Sequence, residues 1–204
     1  MKIQFIFLKP DEIDKPISKI AIVNGLYLKS QLGKSIFCQS WSFTKESDAM
    51  WRVYSQGKNS VNISTTPRKL FISLFEIDND IQKVFIGKVK YVKSLELKTL
   101  YRNNAENWIF QERGLGICKS LLYKRYPFKH ENEVRLIYNT FLNAEKPILK
   151  YDFDPLEVFE NIVFDPRIEY SQFMSRKEQL KKLGFKKPII KSNLYKLPIY
   201  NTIK

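Results

Sequence analysis

KHENEVRLIY, residues 129–138, decides how the rest of the chain is read. As a strand it places Lys129, Glu131, Glu133, Arg135 and Ile137 on one face and His130, Asn132, Val134, Leu136 and Tyr138 on the other, because successive side chains of a strand point to opposite faces. Such alternation marks a strand packed on one side, which belongs in an antiparallel sheet. The charged face raises the functional question. Same-face residues lie roughly 6.6 to 7 Å apart, so a Glu-Glu-Arg row can line one ligand. Its carboxylates would hold hydroxyls or a developing positive charge, and its guanidinium would grip a phosphate or orient a carboxylate. Pairing with Lys or Arg on a neighbouring strand accounts for the same row without a ligand.

Outward from this strand the pattern stays mixed. Residues 3–8 read as a first strand ended by Pro10. The Ile17, Ile20, Val23 spacing suits a short helix, followed by an Asn24-Gly25 turn and a strand at 26–28. A strand is expected at 36–41, then a helix opened by Thr44, running to Tyr54 and closed by Gly57. SVNISTT, KLFISLFEI and KVFIGKVKYV read as strands, residues 95–111 as a helix, and GICKSLLYKRY as either. Near the end come a strand (NIVFDP), a helix stopped by Gly184 and a last strand (PIIKSNLYK). The fold class expected is α+β, mixed and mainly antiparallel with flanking helices. One domain is expected over residues 1–204, carrying a basic αβ appendix at about 156–204.

Composition narrows the function classes. With 44% hydrophobic residues in 204, the chain buries a real core and is not a disordered tail. Its formal charge of +14 favours anionic partners. Between Arg176 and Lys204 there are nine Lys or Arg against one acid, Glu178, and Tyr195 and Tyr200 lie among them. Lys181, Lys182, Lys186, Lys187 and Lys191 are therefore candidates for binding RNA or DNA. A solvated helix face followed by an ordinary strand is the bland alternative. Two cysteines and one histidine, with no Cys-x-x-Cys, suggest neither a disulfide framework nor a metal site. No apolar run approaches about 18 residues and the N-terminus lacks a secretory pattern, so a cytoplasmic protein with no membrane partner is expected.

QSWSFTKESDAMWRVYS, residues 39–55, carries a second possible site. Ser40, Trp41 and Ser42 end a strand that feeds a helix N-terminus, where hydroxyls and free N–H groups can receive a phosphate or ribose. On that helix Trp51 suits a core anchor, whereas Arg52 stands between two aromatics as if for a phosphate or stacked base. Ser64, Thr65 and Thr66 form a further hydroxyl cluster of a kind common at strand ends. A nuclease using His130 is geometrically awkward, since that residue falls on the strand face opposite both glutamates.

QSWSFTKESDAMWRVYS, VNISTTPRKLF, IGKVKYV, KRYPFKHENEVRLIY and IVFDP…LGF…KSNLY, in that order, resemble a bacterial domain-of-unknown-function family, family 2971, over about residues 20–195. Its members carry a Trp-Ser strand, a Met-Trp-x-x-Tyr helix, a Lys-x-x-x-Phe lead-in and a Glu-x-Glu-x-Arg strand. A weaker resemblance is to the ADP-ribosyltransferase superfamily, in which a mixed split β-sheet holds NAD, a Ser-Thr-Ser-like strand braces the site, and a later strand presents a Glu-x-Glu or single Glu that activates the nicotinamide ribose. It implies an ADP-ribosyltransferase-like split β-sheet, NAD as substrate and no metal. Glu133 would be the catalytic carboxylate and Glu131 would orient the acceptor. Ser40, Trp41, Ser42, Trp51, Arg52, Tyr54 and Arg135 would bind the dinucleotide. The superfamily's early Arg or His is absent, since no Arg precedes Arg52 and no His precedes His130, so Lys29, Arg52 or Arg135 would have to meet the NAD phosphates. The activity implied is ADP-ribose transfer to a macromolecule, by a toxin or phage-defence effector kept in check by an antitoxin protein. The alternative from another class is a non-catalytic nucleic-acid-binding or regulatory module whose Glu-x-Glu-x-Arg strand is a structural ion-pair ladder.

Overall fold

The computed structural model describes residues 5–6, 10–12, 14–20, 36–77, 79–80, 83–111, 114–140 and 148–196; the strand expected at 26–28, and Lys29, lie outside them. The chain is mixed α+β and mainly antiparallel. Its main sheet has eight strands in the order β1 (Phe5–Ile6), β5 (Val84–Lys88), β8 (Glu133–Asn139), β3 (Ile36–Ser42), β2 (Ile17–Ile20), β4 (Val61–Thr65), β9 (Asn161–Phe164) and β10 (Ile189–Lys191). The β1/β5 and β9/β10 pairs are parallel and the other neighbours antiparallel. A separate parallel pair joins β6 (Lys90–Val92) to β7 (Tyr123–Arg125). The helices are α1 (Asp48–Tyr54), α2 (Pro67–Phe75), α3 (Ser94–Phe110), α4 (Leu115–Ser120), α5 (Pro155–Val158) and α6 (Tyr170–Lys182). The basic C-terminal segment, expected as an appendix, contributes β9 and β10 to the same sheet, with β9 paired to β4 over four positions.

Two cores sandwich β8. On one face Val134, Leu136 and Tyr138 pack with Trp41, Val84 and Ile86 against Leu70, Phe71 and Leu74 of α2. On the other, Ile137 packs with Phe85, Val89, Cys118 and Leu122 beneath α4. A third cluster seats Phe173 of α6 on Ile162, Phe164 and Ile189. Each large side chain so buried contributes about 1.5–3 kcal/mol, which fixes β8 as a central strand rather than a half-exposed one.

Several sequence expectations give way to local chemistry. KLFISLFEI, expected as a strand, forms α2: the Thr66 side chain accepts a bond from the Lys69 N–H at 3.3 Å, and Pro67 occupies the first turn. Leu70, Phe71 and Leu74 then share one buried helical face, and this outweighs the β-rich composition. Residues 17–20, expected as a helix, pair with β4 at all four positions. Helix α1 is capped by Ser47, whose hydroxyl accepts the Met50 N–H at 3.2 Å, and not by Thr44.

The opening stretch is itself corrected. Residues Tyr126–Glu131 form a 3-10 turn, Asn132 follows in the left-handed region at φ 43°, and the strand begins only at Glu133. Lys129 and Glu131 therefore lie off the strand, and of the four charges expected in one row only Glu133 and Arg135 stand on it. The cause is tertiary. The Ser42 hydroxyl donates to the Glu131 carbonyl at 2.5 Å, the Thr44 hydroxyl to the His130 carbonyl at 3.4 Å, and the Phe43 N–H to the Asn132 carbonyl at 3.0 Å. These bonds satisfy carbonyls at the end of the turn and hold a 3-10 run longer than its usual three or four residues.

Candidate functional site

Strand pairing draws the polar residues into one row. Glu133 stands opposite Ser42, Ser42 opposite Ser18, Ser18 opposite Ser64, and Ser64 opposite Asn161. Directly paired residues share a sheet face, so Glu133 with Ser42, and Ser64 with Asn161, lie on the face away from α2 and α6, while β2 joins the two pairs through the register of Ser18. One step along β8, Arg135 stands between Ser40 on β3 and Gly87 on β5. Of the hydroxyl cluster, Ser64 joins the row and donates to Asn161. Thr65 faces the other way and donates to the Val158 carbonyl at 2.6 Å, and Thr66 caps α2.

Glu133 is 4% exposed and accepts four bonds. Oε1 takes the Ser40 hydroxyl at 2.5 Å and Arg135 Nε at 2.8 Å; Oε2 takes Arg135 Nη2 at 3.1 Å and Lys124 Nζ at 3.2 Å. The Tyr91 hydroxyl accepts the Glu133 backbone N–H at 2.8 Å. Burial alone raises the Glu133 pKa, but the bonded Arg135 guanidinium, the Ser40 hydroxyl and the Lys124 charge outweigh it and hold the carboxyl below its ordinary range. It is therefore ionised at neutral pH. Burial pushes the Tyr91 hydroxyl up to about 12, with the Glu133 charge adding to the effect, so this phenol stays protonated.

Glu131 reaches the cluster from the 3-10 turn. Lys124 bridges it to Glu133, and the Tyr54 hydroxyl of α1 stands near it, its pKa raised first by burial and then by the Glu131 charge. Its side chain is 14% exposed against 5% for Glu133, so Glu131 forms the rim and Glu133 the floor. Two carboxylates face two cations here, and the cluster is close to neutral as a whole.

The structure thus brings Ser40, Tyr54, Glu131, Glu133 and Arg135 together, with Ser42 holding the turn that carries Glu131. Three expected members are elsewhere. Trp41 packs in the α2 core, and Trp51 is fully buried with its indole N–H on Glu46 at 2.7 Å. Arg52 is exposed and paired with Asp48 at 2.7 Å. Lys124 and Tyr91 were not anticipated as site residues: both lie in stretches that carry the family resemblance, IGKVKYV and the Lys-x-x-x-Phe lead-in, but only the β6/β7 pair brings them to Glu133. Among the basic candidates, Lys181, Lys182 and Lys186 are exposed, Lys181 on Glu178 at 3.0 Å. Lys187 Nζ donates to the Phe159 carbonyl at 2.7 Å and Lys191 Nζ to the Ile168 carbonyl at 2.6 Å.

Fold and site define a mixed α+β protein with a Ser-braced, ion-paired carboxylate on a central strand. A family model described as "Protein of unknown function (DUF2971)" matches residues 50–136, from α1 into β8. The match takes in Tyr54, Lys124, Glu131, Glu133 and Arg135 but not Ser40 or Ser42, a shorter span than the 20–195 expected. No curated protein and no solved structure matches the chain. Among the described residues no helix is long and apolar enough to cross a membrane, and no group of His, Cys, Asp and Glu could hold a metal ion.

Proposed function

We propose that the protein is an ADP-ribosyltransferase-like enzyme, a toxin or phage-defence effector, that transfers ADP-ribose from NAD to a macromolecule. The observation that carries this reading is the bond from Ser40 on β3 to Glu133 on the adjacent β8, with Glu131 at the rim above it. An ionised carboxylate fixed in a buried setting stabilises the positive charge that grows on the ribose as its bond to nicotinamide breaks. Nicotinamide leaves neutral, and an acceptor nucleophile oriented by Glu131 forms the new bond at the same carbon. Of the cations assigned to the NAD phosphates, Arg52 is paired with Asp48, and Arg135 with Glu133 and the Leu121 carbonyl.

A second reading draws on a different observation: the four bonds already made to Glu133 fill its acceptor sites. On that reading the cluster is a structural ion-pair ladder in a non-catalytic binding module. One experiment separates the two. Labelled NAD is incubated with the protein and with cellular RNA, DNA and protein fractions. Label transferred by the wild type and not by folded Glu133→Gln supports the enzyme; no label in any fraction leaves the binding module.

A further inference from the structure

We propose that the 3-10 turn Tyr126–Glu131, with Arg125 before it, is a docking platform for single-stranded nucleic acid. Residues 119–130 hold Lys119, Lys124, Arg125 and Lys129 with no acid. In a 3-10 turn residues i and i+3 eclipse each other, and here that stacks cations on rings. Lys129 Nζ lies 5.3 Å from the centre of the Tyr126 ring, and the Arg125 guanidinium 5.3 Å from that of Phe128. Tyr126 is 52% exposed, and Arg125, Lys129 and His130 are exposed beside it. Among the described residues neither Arg125 nor Lys129 forms an ion pair with a carboxylate, so both charges are available to phosphates. An exposed ring flanked by cations that no described carboxylate neutralises is what an unpaired base and its backbone require; a duplex hides its base faces.

The C-terminal lysines fit less well. Lys181 is paired with Glu178, the ammonium groups of Lys187 and Lys191 are taken by backbone carbonyls, and the Tyr195 hydroxyl is donated to Asp48. The platform ends at Glu131, so under the proposed transfer the bound strand would be the acceptor. That consequence rests on the enzyme reading; the binding does not.

The test is fluorescence anisotropy with a labelled 12-nucleotide single strand, using the full chain without NAD. Tyr126→Ala is expected to weaken binding about fivefold or more, with Tyr126→Phe close to wild type. Arg125→Glu with Lys129→Glu is expected to weaken it at least tenfold and to lower the salt slope by about 1.4. Lys181→Glu with Lys182→Glu should stay within about twofold, with circular dichroism verifying each fold. The proposal is overturned if the α6 variant loses binding while the platform variants keep it, if folded Tyr126→Ala binds as wild type, or if a duplex or polyglutamate competes as well as the single strand. Failure of NAD transfer with binding as expected would remove the enzyme reading and leave the platform standing.

Discussion

Glu133 sits on the floor of its cluster with Arg135, Lys124 and Ser40 all directed at its two oxygens. Replacing it by Gln leaves a buried guanidinium facing an amide, and breaking a buried pair from one side costs about 3–5 kcal/mol. Urea unfolding of Glu133→Gln should show a loss of that size. Ser40→Ala removes one bond and keeps the ion pair, so about 1 kcal/mol is expected in the same measurement; if the enzyme reading holds, its transfer rate should fall further than that loss of stability explains. The pH dependence follows in sign. Because the folded-state pKa of Glu133 lies below the ordinary 4.5, its contribution is present above that value and is lost as the pH falls through the folded value. Wild-type stability should therefore decline more steeply than that of Glu133→Gln on acidification below about pH 4.5; parallel curves would contradict the pairing.

At the scale of elements, two contacts position the site. Helix α1, which brings Tyr54 to Glu131, is clamped at its C-terminal end by a residue far away in sequence. Arg167 Nη2 donates to the Trp51 carbonyl at 3.0 Å and the Ser55 carbonyl at 2.8 Å, each of which also accepts a backbone N–H, from Ser55 and Lys58 respectively. Asp165, fully buried, holds Arg167 in place and accepts the Ser55 hydroxyl at 2.5 Å. Arg167→Met should cost about 3–5 kcal/mol by chemical denaturation, since it releases the helix end and strands a buried carboxylate. The second contact lies where α4 crosses α3. A Cβ on Gly116 would meet the Trp108 carbonyl oxygen at 2.4 Å. Gly116→Ala must push the helices apart, at about 1–3 kcal/mol, and thermal melting should show a Tm lower by several degrees. The pattern Asp-Pro-Arg gave no warning of the clamp, and nothing near Gly116 in sequence points to Trp108, because both depend on which elements meet.

For the molecule as a whole, a charge of +14 on 204 residues is self-repulsive. Ionic strength screens that repulsion within about 10 Å at 0.1 M. Tm should therefore rise between 20 and 300 mM NaCl; a falling Tm would mean that the ion-paired clusters, and not the net charge, dominate the electrostatics. The polar row Glu133, Ser42, Ser18, Ser64 and Asn161 also belongs to this scale. Its members come from five strands spread over most of the chain, and only the pairing order aligns them.

In the sequence Glu133 stands out by the charged face of its strand and Ser40 by its place before a helix, with nothing to pair the two. The sequence by itself determined the mixed α+β class, the strands β3, β4, β5, β8 and β9, and the helices α3 and α6 with the Gly184 stop. These were legible because period-2 and helical hydrophobic patterns, capping residues and glycines act within a few residues of themselves. Tertiary structure alone decided that Lys129 and Glu131 leave the strand, since the bonds holding the turn come from Ser42, Phe43 and Thr44. It alone made β8 central, sent Trp41 into the core, and brought Lys124 and Tyr91 to Glu133. A carboxylate on a strand reads the same in sequence whether it faces water, a ligand or an arginine. What it faces is set by the neighbouring strands, and those are chosen by packing across the whole sheet.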